Sequence, residues 1–161
     1  MVEKLYLAWQ KLNGVSGHEM GRKLLAQLYH THVGGQLPQI LTEPLGKPYF
    51  ENTPWHFSIS HTKRHAFCVL ADRPVGVDAE EQDRKVPPHI MQKILSPMEW
   101  AQVVQSQDPD LAFLSIWVLK EASAKQTGEG IRLHPKYTDF TLPDPRVQRI
   151  DGCVVAIVTE D

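Results

Sequence analysis

The sequence predicts an α+β fold in two halves, residues 1–74 and 75–161, and three observations lead there. Strand and helix patterns run strand, helix, strands, then helices and strands again. "WHFSIS" alternates cleanly, with Trp55, Phe57 and Ile59 on one face and His56, Ser58 and Ser60 on the other. "DPDLAFLSIWVLKEASAKQTG" sustains a single long helix that stops at Gly128 and Gly130.

In chain order, "KLYLAWQKL" reads as a first strand. The segment "HEMGRKLLAQLYHTHV" reads as a helix with Met20, Leu24, Leu25 and Leu28 at helical spacing. "GGQLPQILTEPLGKPYFENTP" is turn-rich with two Pro-bounded bends. "WHFSIS" and the apolar "AFCVLA" pair across "HTKRH" as a hairpin, and "RPVGVDAE" is a further strand followed by the polar linker "EQDRKVPP". "HIMQKILSPMEWAQVVQ" breaks at Ser96-Pro97, where Ser96 caps a second helix with Glu99 at its third position. After the long helix, "YTDFTL", "RVQRI" and "CVVAIV" supply short strands. No repeat or low-complexity segment interrupts the pattern.

Composition narrows the function classes. A net charge of −2 argues against binding nucleic acid by bulk charge, so any anion site is local. No apolar run approaches the roughly 20 residues of a membrane span, and the first residues lack a signal-peptide core. A cytoplasmic protein is expected. Cys68 and Cys153 sit in apolar runs without metal-type spacing and read as buried, reduced thiols. The histidines other than His61 form no ligand set by spacing.

Four stretches carry chemistry. In "VGVDAE" the strand period puts Gly76, Asp78 and Glu80 on one face. Two like charges there suit a hard divalent cation, though a strand end running into solvent gives the same pattern. Ser60 and His61 end a strand and can donate to phosphate, or can simply close a turn. The Gly-Lys-Pro bend fixes the direction of Lys47. On the long helix Trp117, Lys120, Glu121 and Ala124 share a stripe bordered by Lys125, beside an apolar stripe of Leu111, Leu114, Val118 and Ala122. Glu121 and Lys125 are spaced for a surface salt bridge. Trp117 on the same stripe points to the wall of a site.

Taken in order, "GKP", "FSISH", "VGVDAE", "LSPMEW" and "WVLKEASAKQTGEGI" resemble the motifs of the 4′-phosphopantetheinyl transferases, most closely the surfactin-synthetase-activating type. The match runs from Gly46 to Ile131, and "GRKLL" resembles a further helix segment of that family through Arg22. Ala79 stands where the family usually has Ile, Leu95 replaces a phenylalanine, and the region before Arg22 is shorter. The resemblance implies two similar halves related by a pseudo-twofold, with the active site between them, and a monomer because one chain supplies both halves. It implies transfer of the 4′-phosphopantetheine arm of coenzyme A to a serine of an apo acyl or peptidyl carrier protein, with release of 3′,5′-ADP. Asp78, Glu80 and Glu121 would hold Mg²⁺, with Mn²⁺ a substitute. Asp78, Glu121 and Lys125 would be catalytic, Glu121 as base and Lys125 at the leaving group. Lys47, Ser60, His61, Lys120 and Lys125 would bind phosphates, and Arg22 the 3′-phosphate. A non-catalytic coenzyme A or nucleotide-binding module is the alternative; the complete carboxylate and lysine set argues against it.

Overall fold

The computed structural model describes residues 3–128 and 139–160. β1 (Leu5–Lys11) is followed by α1 (Gly17–His32), then β2 (Ile40–Thr42) and β3 (Pro48–Phe50). β4 (His56–His61), β5 (His65–Ala71) and β6 (Val75–Glu81) come next, then α2 (Pro88–Ile94), α3 (Pro97–Gln105) and α4 (Pro109–Thr127). β7 (Val147–Ile150) and β8 (Cys153–Thr159) close the chain.

The expected hairpin forms, with Phe57 opposite Leu70 and Ile59 opposite Cys68. β1 adds to its other side, giving an antiparallel sheet of order β1-β5-β4. The later strands form a separate antiparallel sheet of order β6-β8-β7. The turn-rich segment contains a short hairpin, β2 with β3, that the bends alone did not reveal. Part of the strand expected over "YTDFTL" lies outside the described residues. Its described part, 139–142, is not a strand. Instead its backbone is tied by side chains: Phe140 N–H donates to Glu99 Oε2 at 2.9 Å and Leu142 N–H to Gln102 Oε1 at 2.9 Å. Gly130 also falls outside the described residues.

Strand alternation sorts the apolar residues into three cores. Ala66, Cys68 and Leu70 of β5 turn toward Met20, Leu24 and Leu25 of α1. Phe67, Val69 and Ala71 turn the other way and meet Val75, Val77, Ala79, Cys153 and Val155 of the second sheet. The far face of that sheet, with Val154, Ala156 and Val158, packs on Ile116, Val118, Leu119 and Ala122 of α4. The layers are therefore helix, sheet, sheet, helix. Both cysteines are buried and unpaired with each other, as expected.

Local sequence sets the helix ends. Ser96 and Glu99 form the expected capping box of α3, with Pro97 in its first turn. Ser16 and Asp108 cap α1 and α4 by accepting from Glu19 N–H and Leu111 N–H. α4 ends at Gly128, whose φ of 79° is the left-handed conformation glycine adopts without steric cost.

Candidate active site

The site grows out of β6. Its odd positions serve the inter-sheet core, so Gly76, Asp78 and Glu80 face α4. A β-carbon on Gly76 would lie 1.9 Å from the Ala122 carbonyl oxygen and 2.6 Å from the Gln126 nitrogen. The missing side chain lets α4 settle directly on the strand, which brings Glu121 and Lys125 over Asp78.

β4 and β6 meet here through side chains instead of a strand ladder. Ser58 Oγ accepts from Val77 N–H at 3.0 Å, and Ser60 Oγ accepts from Ala79 N–H at 3.2 Å. Lys125 completes the seam: its Nζ donates to the carbonyls of Ile59 at 3.2 Å and Val77 at 3.1 Å, and to Asp78 Oδ1 at 3.1 Å. Ser60 Oγ also donates to Asp78 Oδ1 at 3.3 Å. One oxygen of Asp78 is thus well served. The other, Oδ2, is buried and has no hydrogen-bond partner among the described residues.

That imbalance is costly for an ionised group. Burial raises the Asp78 pKa above the ordinary carboxylate range; Lys125 counters this and Glu80 adds to it. Burial likewise raises Glu121, with repulsion from Asp78 adding, to about 7 against the opposing pull of Lys125. Three carboxylates therefore act on one another at the foot of α4. Beside them lies a cavity of about 250 Å³ lined in part by Lys47, Pro48, Ser58, Glu121 and Lys125. Lys47 reaches it from the β2–β3 hairpin, its Nζ donating to Gln126 O at 2.8 Å, and burial lowers its pKa.

Not every residue singled out in the sequence converges here. Lys120 points elsewhere: its ammonium is buried 2.8 Å from Glu99 Oε1 and lies over the Phe140 ring. It belongs to the packing of α4 on α3, because adjacent helical residues point about 100° apart. Trp117 stacks on Phe113 and packs with the α4 core, and it does not line the cavity. Ser60 is turned into the seam and buried, not out of the sheet. The Glu121–Lys125 surface pair gives way to the Lys125–Asp78 pair. Glu80 is held by Arg84 at 2.6 Å. His61 packs over Gly17, where a β-carbon would lie 2.3 Å from the imidazole. Arg22 sits half-buried on α1, close enough to Cys68 to act on its thiol.

Glu99 is the residue the sequence undervalued. The sequence offered it as a helix cap and as the glutamate of the "LSPMEW" motif, with no site role. In the structure it is fully buried and accepts from Ser96 N–H, Phe140 N–H and Lys120. A lysine one helix turn from an apolar stripe was the available signal.

The donor set fits a hard divalent cation: all oxygen, carboxylate-rich, with an unsatisfied buried oxygen on Asp78 and a destabilised carboxylate on Glu121. The three carboxylates do not close into a tight cage; among the described residues only His65, Glu81 and Cys153 bring ligand atoms within 4.8 Å of one another.

Residues 74–154, half of the chain, match the family model described as the 4′-phosphopantetheinyl transferase superfamily. A 4′-phosphopantetheinyl transferase of Bacillus subtilis is 36% identical over 95 residues, covering 55% of this chain and 40% of that one. The transferase Sfp of Bacillus subtilis strain 168 is 30% identical over 95 residues, covering 57% and 42%. The transferase psf-1 of Bacillus pumilus is 30% identical over 117 residues, covering 70% and 50%. The chain spans half or less of the length of these relatives. The matched span holds β6, α4 and the start of β8, the elements that build the carboxylate site, and this chain belongs to the 4′-phosphopantetheinyl transferase superfamily.

Proposed function

We propose that this protein transfers the 4′-phosphopantetheine arm of coenzyme A to a serine hydroxyl of an apo carrier protein, acyl or peptidyl, releasing 3′,5′-ADP. The observation that carries the reading is the pairing of a buried, half-satisfied Asp78 with a Glu121 carboxyl raised to about 7. Without a cation such a pair is electrostatically unsatisfied, which favours a bound divalent ion and leaves Glu121 a carboxylate able to accept a proton.

Asp78, Glu80 and Glu121 are the residues that would hold Mg²⁺, or Mn²⁺ in its place. A divalent cation supplies neutralisation of the pyrophosphate charge, the main demand of phosphoryl transfer. Glu121 takes the proton of the attacking serine. Lys125 exchanges part of its hydrogen bonding with the seam carbonyls for the leaving phosphate. Lys47, on the cavity wall, binds phosphate oxygens as a fixed positive charge. His61 and Arg22, on the first-half side of the seam, provide outer anion contacts, Arg22 by its planar fork. Lys120 has no phosphate role in this scheme. We further propose that the two sheet-and-helix halves are related by a pseudo-twofold, with coenzyme A in the cleft between them and one chain sufficing.

The variant Glu121→Gln keeps the size of the side chain and removes the base. Steady-state transfer to one carrier should show kcat lower by at least ~100-fold. Wild-type kcat in that variant would reduce Glu121 to a structural residue and overturn the scheme.

A further inference from the structure

A second cluster of reactive groups lies on the other face of β6, at the end of the inter-sheet core. The same strand parity that places Phe67, Val69, Val75, Val77 and Val155 in that core places His65, Glu81 and Cys153 at its end. All three are buried, and they come from β5, β6 and β8. His65 Nδ1 lies 2.8 Å from Glu81 Oε2, Cys153 Sγ lies 3.3 Å from His65 Nδ1, and Cys153 Sγ lies 3.4 Å from Glu81 Oε2. The carboxylate set at α4 uses none of them.

We propose that His65, Glu81 and Cys153 form a binding site for a borderline transition-metal cation of the Zn²⁺ class, with water as a fourth ligand. Thiolate, imidazole and carboxylate together select such an ion over Mg²⁺, which wants oxygen alone. Ordinary zinc bond lengths at tetrahedral angles put ligand nitrogen and oxygen about 3.3 Å apart, and sulfur about 3.5 Å from each. The observed triangle is slightly tighter, so the three atoms need only spread by roughly half an ångström or less to admit the ion.

The surroundings are those of a ligand shell. His65 Nε2 is 2.8 Å from Asp151 Oδ2, which fixes the ring and leaves Nδ1 for the ion, the arrangement that orients metal-binding imidazoles. Arg64 Nε donates to Glu81 Oε1 at 3.1 Å, and Thr62 donates to Oε2. A cleft of about 560 Å³ opens beside His65, Glu81 and Asp151 and gives water a route to the fourth position. Binding balances as the cation displacing one proton from the doubly donating imidazole and one from the thiol, so the ligated site is neutral. The ion would clasp the first sheet to the second.

The test is Co²⁺ substitution in protein stripped of metal, read by the near-ultraviolet sulfur-to-cobalt absorption. The chain has two cysteines, so the single-cysteine variant Cys68→Ser assigns any such band to Cys153. One equivalent of Co²⁺ should produce the band in wild type, in Cys68→Ser and in Asp78→Asn, and Zn²⁺ should abolish it by displacement. Cys153→Ser should lose it, and Asp151→Asn should weaken Co²⁺ affinity by ~10- to 100-fold. Wild-type protein without the band, or a band lost in Cys68→Ser that retains its fold, would overturn the site and leave a purely hydrogen-bonded clasp.

Discussion

Glu121 shows at the scale of one residue how burial changes a carboxyl. Its carboxyl, held at about 7 by desolvation and by Asp78, binds a proton that the unfolded chain has released above its ordinary value of 4.5. The folded state therefore holds more protons across that window, so this group lowers stability as pH rises from about 4.5 through about 7. Asp78 acts in the same direction. His65, whose pKa is raised against desolvation by Asp151 and Glu81, contributes stability below its ordinary value of 6.5 and loses it as pH rises through the raised folded value. Glu81, where hydrogen bonds from Thr62 and His65 overcome burial and hold the pKa near 2, acts only at lower pH. The difference between wild type and Glu121→Gln isolates the glutamate. In chelator, denaturant titrations from pH 5 to pH 8 should show a shallower loss of stability in the variant. Identical slopes would mean that Glu121 is solvated and ordinary. Lys120 supports a contrasting prediction. Removing it by Lys120→Met leaves Glu99 buried without its cation, at a cost of ~3–5 kcal/mol, so thermal unfolding should shift down sharply. Coenzyme A affinity at permissive temperature should hold; a loss of affinity with unchanged stability would return Lys120 to the site.

Elements explain why the sequence was readable in some places and not in others. Strands with one covered face declare themselves by alternation, and "WHFSIS" did so with its partner. The break at Ser96-Pro97 was legible because the capping chemistry is local. α4 was legible as a helix but not in its orientation. Residues Ala112, Phe113, Leu114, Ile116, Val118, Leu119, Lys120 and Ala122 are all buried, so the helix has neighbours on more than one side. A single stripe then joined Lys120, which faces α3, to Glu121, which faces β6. Glu81 was missed for a related reason: reading the strand as ending at Glu80 hid an acidic residue in register with Val75, Val77 and Ala79. Gly76 carries the element-scale prediction. Gly76→Ala forces a methyl into the α4 backbone, and overpacking of this kind costs ~1–3 kcal/mol. Either thermal unfolding drops accordingly or α4 moves off β6 and transfer falls with it. A variant with wild-type stability and wild-type rate would show that the contact is slack.

For the whole molecule, the two sheets meet through an apolar core and through a polar seam between β4, β6 and α4. Ser58 and Ser60 stand in for strand carbonyls, Lys125 spans both halves, and Lys47 reaches α4 from the far hairpin. This placement sets Lys47 and Lys125 beside the carboxylates at one line of contact. The motifs of the site were legible because they are contiguous in sequence; the seam was not, because it joins residues about as far apart as β4 and α4. The direct test is intact-mass analysis of apo acyl and peptidyl carrier proteins after incubation with the protein, coenzyme A and Mg²⁺. The account predicts a carrier heavier by one phosphopantetheine, absent with Asp78→Asn and absent in excess chelator. A full mass gain in chelator, or none on any carrier with folded wild-type protein, would contradict it.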